Sequence, residues 1–191
     1  MFTCDQRHQR VGLLILAITL SAFLVDRSHA QAPAPARPPA AAGARAPQLA
    51  ANLGQLMKGI LYPSSNVIFA AQSENPADVP PAKDPSTATN PLASSYGKWE
   101  AVENSALALA EAANLLTLPG RKCANGRDVP IGNADWPKLV EGLRDAAAKA
   151  YKAAQAKSQD GILDAADTMT TACANCHEKY REKANLADRC K

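Results

Sequence analysis

Two cysteines and a histidine lie together near the end of the chain, within the stretch TACANCHEKYR. They are Cys173, Cys176 and His177, so their spacing is Cys-Xaa-Xaa-Cys-His. Thiol and imidazole groups at such spacings serve as redox dithiols, as metal ligands or as covalent haem attachment sites. A chance cluster is the fourth alternative, which the five Cys and three His of the 191-residue chain make rare.

Two of the chemical alternatives fit the rest of the sequence poorly. A thioredoxin-like dithiol needs its cysteines at a helix N-terminus in a βαβ context, where the helix dipole lowers the thiol pKa. The motif of this chain lies deep in a predicted helix instead. Structural zinc needs a second pair of ligands, and the other two histidines, His8 and His29, fall in a predicted export signal.

Helical geometry favours the haem attachment site. Cys173 and His177 are four residues apart with Cys176 between them, so on a helix all three side chains project from one side. Two thiols at this spacing can capture the two vinyl groups of a protoporphyrin while the adjacent imidazole reaches the iron. The motif therefore predicts one covalently bound haem c, anchored at Cys173 and Cys176, with His177 as an axial ligand of the iron.

The chain begins with a predicted export signal over residues 1–30. Basic residues precede an apolar run over residues 11–25, and Ser28-His29-Ala30 supplies a small-residue cleavage site. The apolar run is shorter than the roughly 20 residues needed to span a bilayer. We therefore expect a periplasmic protein with no membrane span once the signal is cleaved near Ala30.

Charge excludes one class of partner. Removal of the three arginines and two aspartates of the signal changes the formal net charge from +3 to +2. A chain this close to neutral, with no concentrated run of Lys or Arg, displaces too few counterions to bind phosphate backbones strongly. We expect no nucleic-acid partner.

The remaining sequence divides into a tether and a helical domain. Residues 31–47 are rich in Pro and Ala and predict an extended, semi-rigid tether. In residues 48–191, apolar residues recur at spacings of three and four and predict four amphipathic helices. Four helices with little strand signal predict an all-α domain, packed as an antiparallel up-down-up-down four-helix bundle.

Proline, glycine and capping residues set the predicted boundaries of these helices. Helix A runs from Gln48 to about Gln72 with a kink at Pro63, helix B from Ser94 or Ser95 to Pro119-Gly120, helix C from its N-cap Asp135, and helix D from about Gly161 towards Asp188. Tyr96 and Leu163 are predicted to be buried. Residues 73–93 are polar and proline-rich and predict a loop, although structureless connections longer than roughly 12–15 residues are uncommon.

The first and last of these helices give the chain a resemblance to the class II c-type cytochromes, the family of cytochrome c′ and cytochrome c556. The resemblance spans residues from about 48 to 187 and rests on CANCHEKYR in the last helix and Leu56-Met57-Lys58 in the first. It implies a left-handed bundle with haem between its helices, bound through Cys173 and Cys176 and ligated by His177. Family members often form homodimers through their first two helices, and the sequence leaves monomer and homodimer open.

Met57 decides which branch of the family the chain is similar to. In cytochrome c556 the Met of the Leu-Met-Lys stretch is the second axial ligand, whereas in cytochrome c′ an apolar residue covers an open site that binds small gases. In an up-down-up-down bundle, Met57 and His177 lie at similar heights because each is about ten residues from the same pole. The alternative is a Met57 that only fills the core.

The predicted function is electron transfer between redox partner proteins, which the sequence does not identify, with no catalysed reaction of the chain's own. A five-coordinate, cytochrome c′-like protein that binds NO or CO is the alternative. A haem peroxidase or a haem subunit of a dehydrogenase is a third hypothesis. Against a peroxidase, no histidine besides His177 remains in the mature chain to act as a distal acid–base group.

Three further residues complete the predicted site. Arg181 lies one turn past His177, where it can pair with a haem propionate or remain a solvated helix-end arginine. Cys123 and Cys190 are the cysteines left after signal removal and haem attachment. An even remainder in an exported protein favours a disulfide between them over two free thiols.

Overall fold

A computed structural model describes residues 48–190, which form an all-α helical bundle. The predicted all-α fold class is therefore confirmed. The predicted signal over residues 1–30 and the tether over residues 31–47 lie outside the described residues. Within 48–190, no helix combines the length and apolar character that a membrane crossing requires.

Four helices make up the described bundle. The first is continuous and consists of α1 (Leu53–Leu56), a π-helical turn (Met57–Leu61) and α2 (Tyr62–Ser73), and it is followed by α3 (Lys98–Leu115), α4 (Trp136–Gln155) and α5 (Gln159–Tyr180). Both α2 and α4 pack against α3 and α5, so the helices enclose one core. The up-down-up-down order of all four helices stays a prediction.

Helices α4 and α5 run antiparallel and approach each other closely near their short connection. The Lys149 side chain of α4 meets Asp164 and Thr168 of α5, while Tyr180 reaches back to Asp135 at the start of α4. Small side chains permit the close approach: a Cβ added at Gly161 would lie only 2.9 Å from the Ala153 Cβ. The buried alanines of this end are Ala146, Ala147, Ala150, Ala153, Ala154, Ala165 and Ala166.

The first helix continues through Pro63, as predicted, and a π-helical turn accommodates the proline. Pro63 has no N–H to donate to the carbonyl of residue 59, the bond that an α-helix would form. The preceding turn is wound more widely, so the Tyr62 N–H donates to the Met57 carbonyl five residues back. The helix begins at Leu53 rather than Gln48, because Asn52 and Gln55 form a reciprocal capping box there.

Helix α3 begins at Lys98, three or four residues later than predicted. Ser94 does not cap it, since its hydroxyl donates to the Pro91 carbonyl, 2.7 Å away, in a preceding 3-10 turn. Gly97 occupies the N-cap position instead. Tyr96 therefore precedes the helix and is 70% exposed, so its predicted burial is wrong.

The long segment between the first helix and α3 is held by local turns. Asn75, Asp84 and Asn90 each accept a hydrogen bond from a backbone N–H two residues on. Val79 and Leu92 are buried and anchor the segment to the core. A connection of this length is stable because it buries side chains of its own and satisfies its backbone locally.

Helix α5 ends at Tyr180, well before the predicted end near Asp188. The N–H groups of Arg181 and Glu182 both donate to the His177 carbonyl, which closes the helix, and the chain then folds back over its end. Leu163 is 41% exposed, so its predicted burial is also wrong. Its neighbour Ile162 lies on the buried stripe, and one residue along a helix rotates the side chain by about 100°.

Gly97→Ala should destabilise the fold because no room exists for a methyl group. A Cβ at this position would meet the Leu92 carbonyl oxygen closely and the Ser94 carbonyl oxygen at 2.7 Å, and both are backbone atoms that cannot rotate away. We expect a loss of about 1–3 kcal/mol in the free energy of unfolding, measured by urea denaturation.

Gly142→Ala in α4 is the matched control. No atom lies within 4 Å of its added Cβ, and alanine is favoured over glycine within a helix by about 0.5–1 kcal/mol. The control should therefore be as stable as the wild type or more so. Equal destabilisation by both variants would contradict the steric explanation.

Candidate functional site

A cavity of about 870 Å³ opens between the helices at the end of the bundle opposite the α4–α5 connection. Its volume falls within the range of about 300–1,000 Å³ that is usual for small-molecule and cofactor sites. Most of its wall is apolar, and α4 contributes bulky side chains here in place of the alanines of its other end. These wall residues include Leu53, Leu61, Phe69, Leu109, Leu116, Trp136, Leu139, Val140 and Leu143.

The residues predicted to bind haem all line this one cavity. Cys173, Cys176 and His177 reach it from α5, Arg181 from the residue that follows α5, and Met57 from the first helix. Met57 begins the π-helical turn, and it is half-buried like the two thiols and the imidazole. The cavity thus brings a thioether sulfur on one helix together with two thiols and an imidazole on another.

Burial sets the protonation states of the motif. It raises the pKa of the Cys173 thiol, and burial together with the neighbouring Cys173 and Asp135 raises the pKa of Cys176 to about 11. Burial and then the nearby Arg181 cation lower the pKa of His177. At neutral pH both sulfurs therefore keep their protons, and the imidazole is neutral with a lone pair free for a metal.

Arg181 lies at the exposed edge of the cavity. Its guanidinium is paired with the carboxylate of Glu182, with Nη2 and Oε1 2.5 Å apart. Both side chains of this ion pair are about half exposed. Ion pairs between exposed side chains contribute little to stability. A contact between Arg181 and a haem propionate stays a prediction.

Cys123 and Cys190 lie together with their sulfurs at bonding distance and their Cα atoms 5.0 Å apart. Cys123 is buried, and Cys190 lines the cavity. The Cys190 N–H donates to the Tyr180 carbonyl, 2.9 Å away, so the last residues fold back onto the end of α5. The pair therefore joins the α3–α4 connection to the element that carries the motif.

A polar network joins the end of α5 to the residues that precede α4. The buried Tyr180 donates its hydroxyl hydrogen bond to Asp135, 2.8 Å away, and accepts one from the Asn133 amide at 3.1 Å. Lys179 also pairs with Asp135, at 2.6 Å. The Tyr180 ring packs edge-on against Trp136, with ring centroids 5.0 Å apart. The network fixes Tyr180, which lies one turn from His177.

This network was not predicted from the sequence. Asp135 does stand at the predicted N-cap position of α4, but its side chain makes no capping bond and is committed to α5. No local spacing could reveal that, because Asp135 and Tyr180 are 45 residues apart in the chain. A polar residue before a helix and a tyrosine at a helix end are each common features on their own.

The groups around the cavity fit a haem better than a lone metal ion. Within residues 48–190, no three or more His, Cys, Asp or Glu side chains converge as ligands of one ion. The two thiols and the imidazole instead line a largely apolar space of about 870 Å³, and the Met57 thioether lines it from another helix. Apolar walls with few polar groups are the usual environment of a cofactor.

Comparison with known proteins adds no relative: no protein-family model, no curated protein and no solved structure matches this chain. The chemistry of the cavity therefore has to be read from the residues that line it.

Replacement of Asp135 by Asn tests the network through its pH dependence. The hydrogen bonds from Lys179 and then Tyr180 lower the pKa of Asp135 in the folded protein below its value of 3.8 in model compounds. A carboxylate with a lowered pKa stabilises the fold above the unfolded pKa, and that stabilisation is lost as pH falls through the folded pKa. Asp135→Asn should therefore be less stable than the wild type at pH 7, and the difference should shrink below about pH 4.

Thermal midpoints measured from pH 7 to pH 2.5 would give this comparison. Asp145→Asn is the control, because Asp145 is exposed on α4 and belongs to none of the ion pairs of the described residues. A difference between wild type and Asp135→Asn that stays constant across this range would rule out the ionised carboxylate as the stabilising group.

Proposed function

We propose that the protein is an exported, periplasmic monohaem c-type cytochrome that passes single electrons between redox partner proteins. One observation carries the proposal: a single apolar cavity is lined by all three groups of Cys-Xaa-Xaa-Cys-His and by Met57 from another helix. The resemblance to class II c-type cytochromes, with its antiparallel up-down-up-down bundle, supports the same conclusion. In this proposal the chain catalyses no reaction of its own.

Each residue of the motif has a defined part in holding the group. Cys173 and Cys176 would anchor haem c through thioether bonds, formed when each S–H adds across a vinyl group so that no oxidant is needed. His177, kept neutral by burial, would ligate the iron from the α5 side. When bound, haem supplies a one-electron iron couple. Covalent anchoring keeps the group in place in both oxidation states.

Met57 is the proposed second axial ligand. It lines the cavity from the first helix, whereas His177 lines it from α5, so side chains of two different helices would hold the iron. Coordination by Met and His raises the reduction potential relative to two histidines. With Met57 bound to it, the iron would have no open position for a substrate, which suits a protein that only passes electrons to and from its partners.

The alternative function is binding of NO or CO at an open sixth position. Leu61 and Phe69 on the first helix also line the cavity, and apolar side chains of this kind could cover the open sixth position. Met57 would then be a core residue, because the flexible thioether of methionine fills irregular gaps. The coordination of the iron separates the two functions.

Met57→Leu tests the sixth ligand while conserving side-chain volume. We expect the wild type to give a low-spin absorption spectrum that CO does not change in the reduced state. The variant should become high-spin and bind CO, because leucine offers no lone pair. Met169→Leu is the matched control, since Met169 is buried on α5 but does not line the cavity. A CO-sensitive wild type would establish the gas-binding alternative.

Removal of the two motif thiols tests the covalent anchors. After acid and organic-solvent extraction, the wild type should retain its haem, as measured by the mass of the intact chain. Cys173→Ala with Cys176→Ala should lose the haem entirely, because only axial ligation would hold it. The Cys123→Ser and Cys190→Ser pair is the control and should retain haem. Loss of haem from the wild type on extraction would refute the proposed attachment.

A further inference from the structure

Arg121 carries a buried charge that the proposed site does not use. Its exposed fraction is only 5%, and it is the one buried charged residue within 48–190. Burial of a cation is costly unless its donors are satisfied. The Arg121 guanidinium bonds only to backbone: Nε donates to the Leu115 carbonyl at 3.1 Å and Nη1 to the Ala51 carbonyl at 2.5 Å.

Both acceptors of Arg121 lie at ends of helices. Leu115 is the last residue of α3, where unpaired carbonyls and the helix dipole attract a cation. Ala51 directly precedes Asn52, the N-cap residue of the first helix. Arg121 therefore ties the end of α3 to the start of the helix that carries Met57.

Lys122 and Cys123 extend this connection to the two helices that carry the proposed iron ligands. The Lys122 carbonyl accepts a hydrogen bond from the Leu53 N–H, 2.8 Å away, at the first residue of α1. Cys123 pairs with Cys190, whose N–H donates to the Tyr180 carbonyl at the end of α5. Residues 121–123, which we call the clasp, thus hold the start of one helix and the end of the other.

The clasp lies close to both proposed iron ligands along their helices. Met57 follows Leu53 by four residues, about one helical turn, and His177 precedes Tyr180 by three. The π-helical turn begins at Met57, so the ligand sits where the first helix departs from regular α-helical bonding. Support at the start of that helix therefore bears directly on where the Met57 sulfur lies.

We propose that Arg121 is a positioning residue, which through the clasp holds the Met57 helix against the His177 helix and so keeps the sixth coordination position closed to gases. This inference rests on the proposed function. It assigns the choice between electron carrier and gas binder to the clasp as well as to Met57. Arg121 acts through the backbone of residues 51–53 and touches no atom of the haem site in this proposal.

Arg121→Met tests this role in the full, haem-loaded chain. Methionine conserves much of the side-chain length but donates no hydrogen bond. We expect the amides of residues 53–57 to exchange with deuterium about 5- to 30-fold faster, the change that corresponds to about 1–2 kcal/mol in a local opening equilibrium. We also expect the reduced protein to bind CO, which the wild type does not.

Two comparisons separate positioning from a general loss of stability. Arg144→Met is the matched control, since Arg144 bonds to the Asn114 side chain near the end of α3 but not to the first helix. It should leave both the exchange of residues 53–57 and the CO response unchanged. Arg121→Lys, which keeps a cation and one or two donors, should fall between Arg121→Met and the wild type in both measurements.

Each outcome supports or overturns the proposal that Arg121 positions the Met57 helix. Equal exchange in Arg121→Met and Arg144→Met would overturn the proposal, as would faster exchange with a CO response still like that of a CO-insensitive wild type. If the wild type itself binds CO, the electron-carrier function fails instead, and the exchange of residues 53–57 alone decides whether Arg121 holds the helix. If Arg121→Met does not fold, Arg121→Lys and the Cys123→Ser/Cys190→Ser pair make the same comparison.

Discussion

The close packing of small side chains between α4 and α5 is the constraint on which the rest of the site depends. Near the α4–α5 connection, buried alanines and Gly161 let the two helices approach closely. At the other end, α4 presents large side chains such as Trp136 and Leu143, and the space between the helices becomes the cavity. The change from alanine to bulky apolar residues along one helix thus provides both the stability of the bundle and room for a cofactor.

The cavity end needs support that packing alone does not give, because a large apolar space removes contacts from its walls. Directional bonds compensate there. Tyr180 is tied to Asp135 and Asn133 behind the motif, and Arg121 holds the start of the first helix. Asn133, Asp135 and Arg121 do not line the cavity, so these bonds can fix the helices that carry Met57 and His177 and leave the cavity open.

The parts of the fold that could be predicted are those set by local sequence. The four helices follow from apolar periodicity, and the continuation of the first helix past Pro63 follows from the apolar residues beyond it. Boundaries were less predictable, since they depend on competing bonds. The Ser94 hydroxyl donates to a carbonyl of the preceding turn and so does not cap α3. Helix α5 ends at Tyr180, whose carbonyl accepts a hydrogen bond from the Cys190 N–H. The exposure of Tyr96 and Leu163 was not predictable, because periodicity alone does not fix which residues near the ends of a helix face the core.

By itself, the sequence determined which reactive groups the site contains. They are two thiols and an imidazole at helical spacing, a methionine on another helix and two further cysteines that can pair. Tertiary structure alone decided that Asp135 serves α5 instead of capping α4 and that Arg121 is buried. It also places Met57 and His177, which the sequence predicts at similar heights, in the wall of one cavity. The physical reason is that spacing within a helix is fixed by its 3.6-residue period. Contacts between residues 45 to 120 positions apart depend on how the helices pack, which no local pattern encodes.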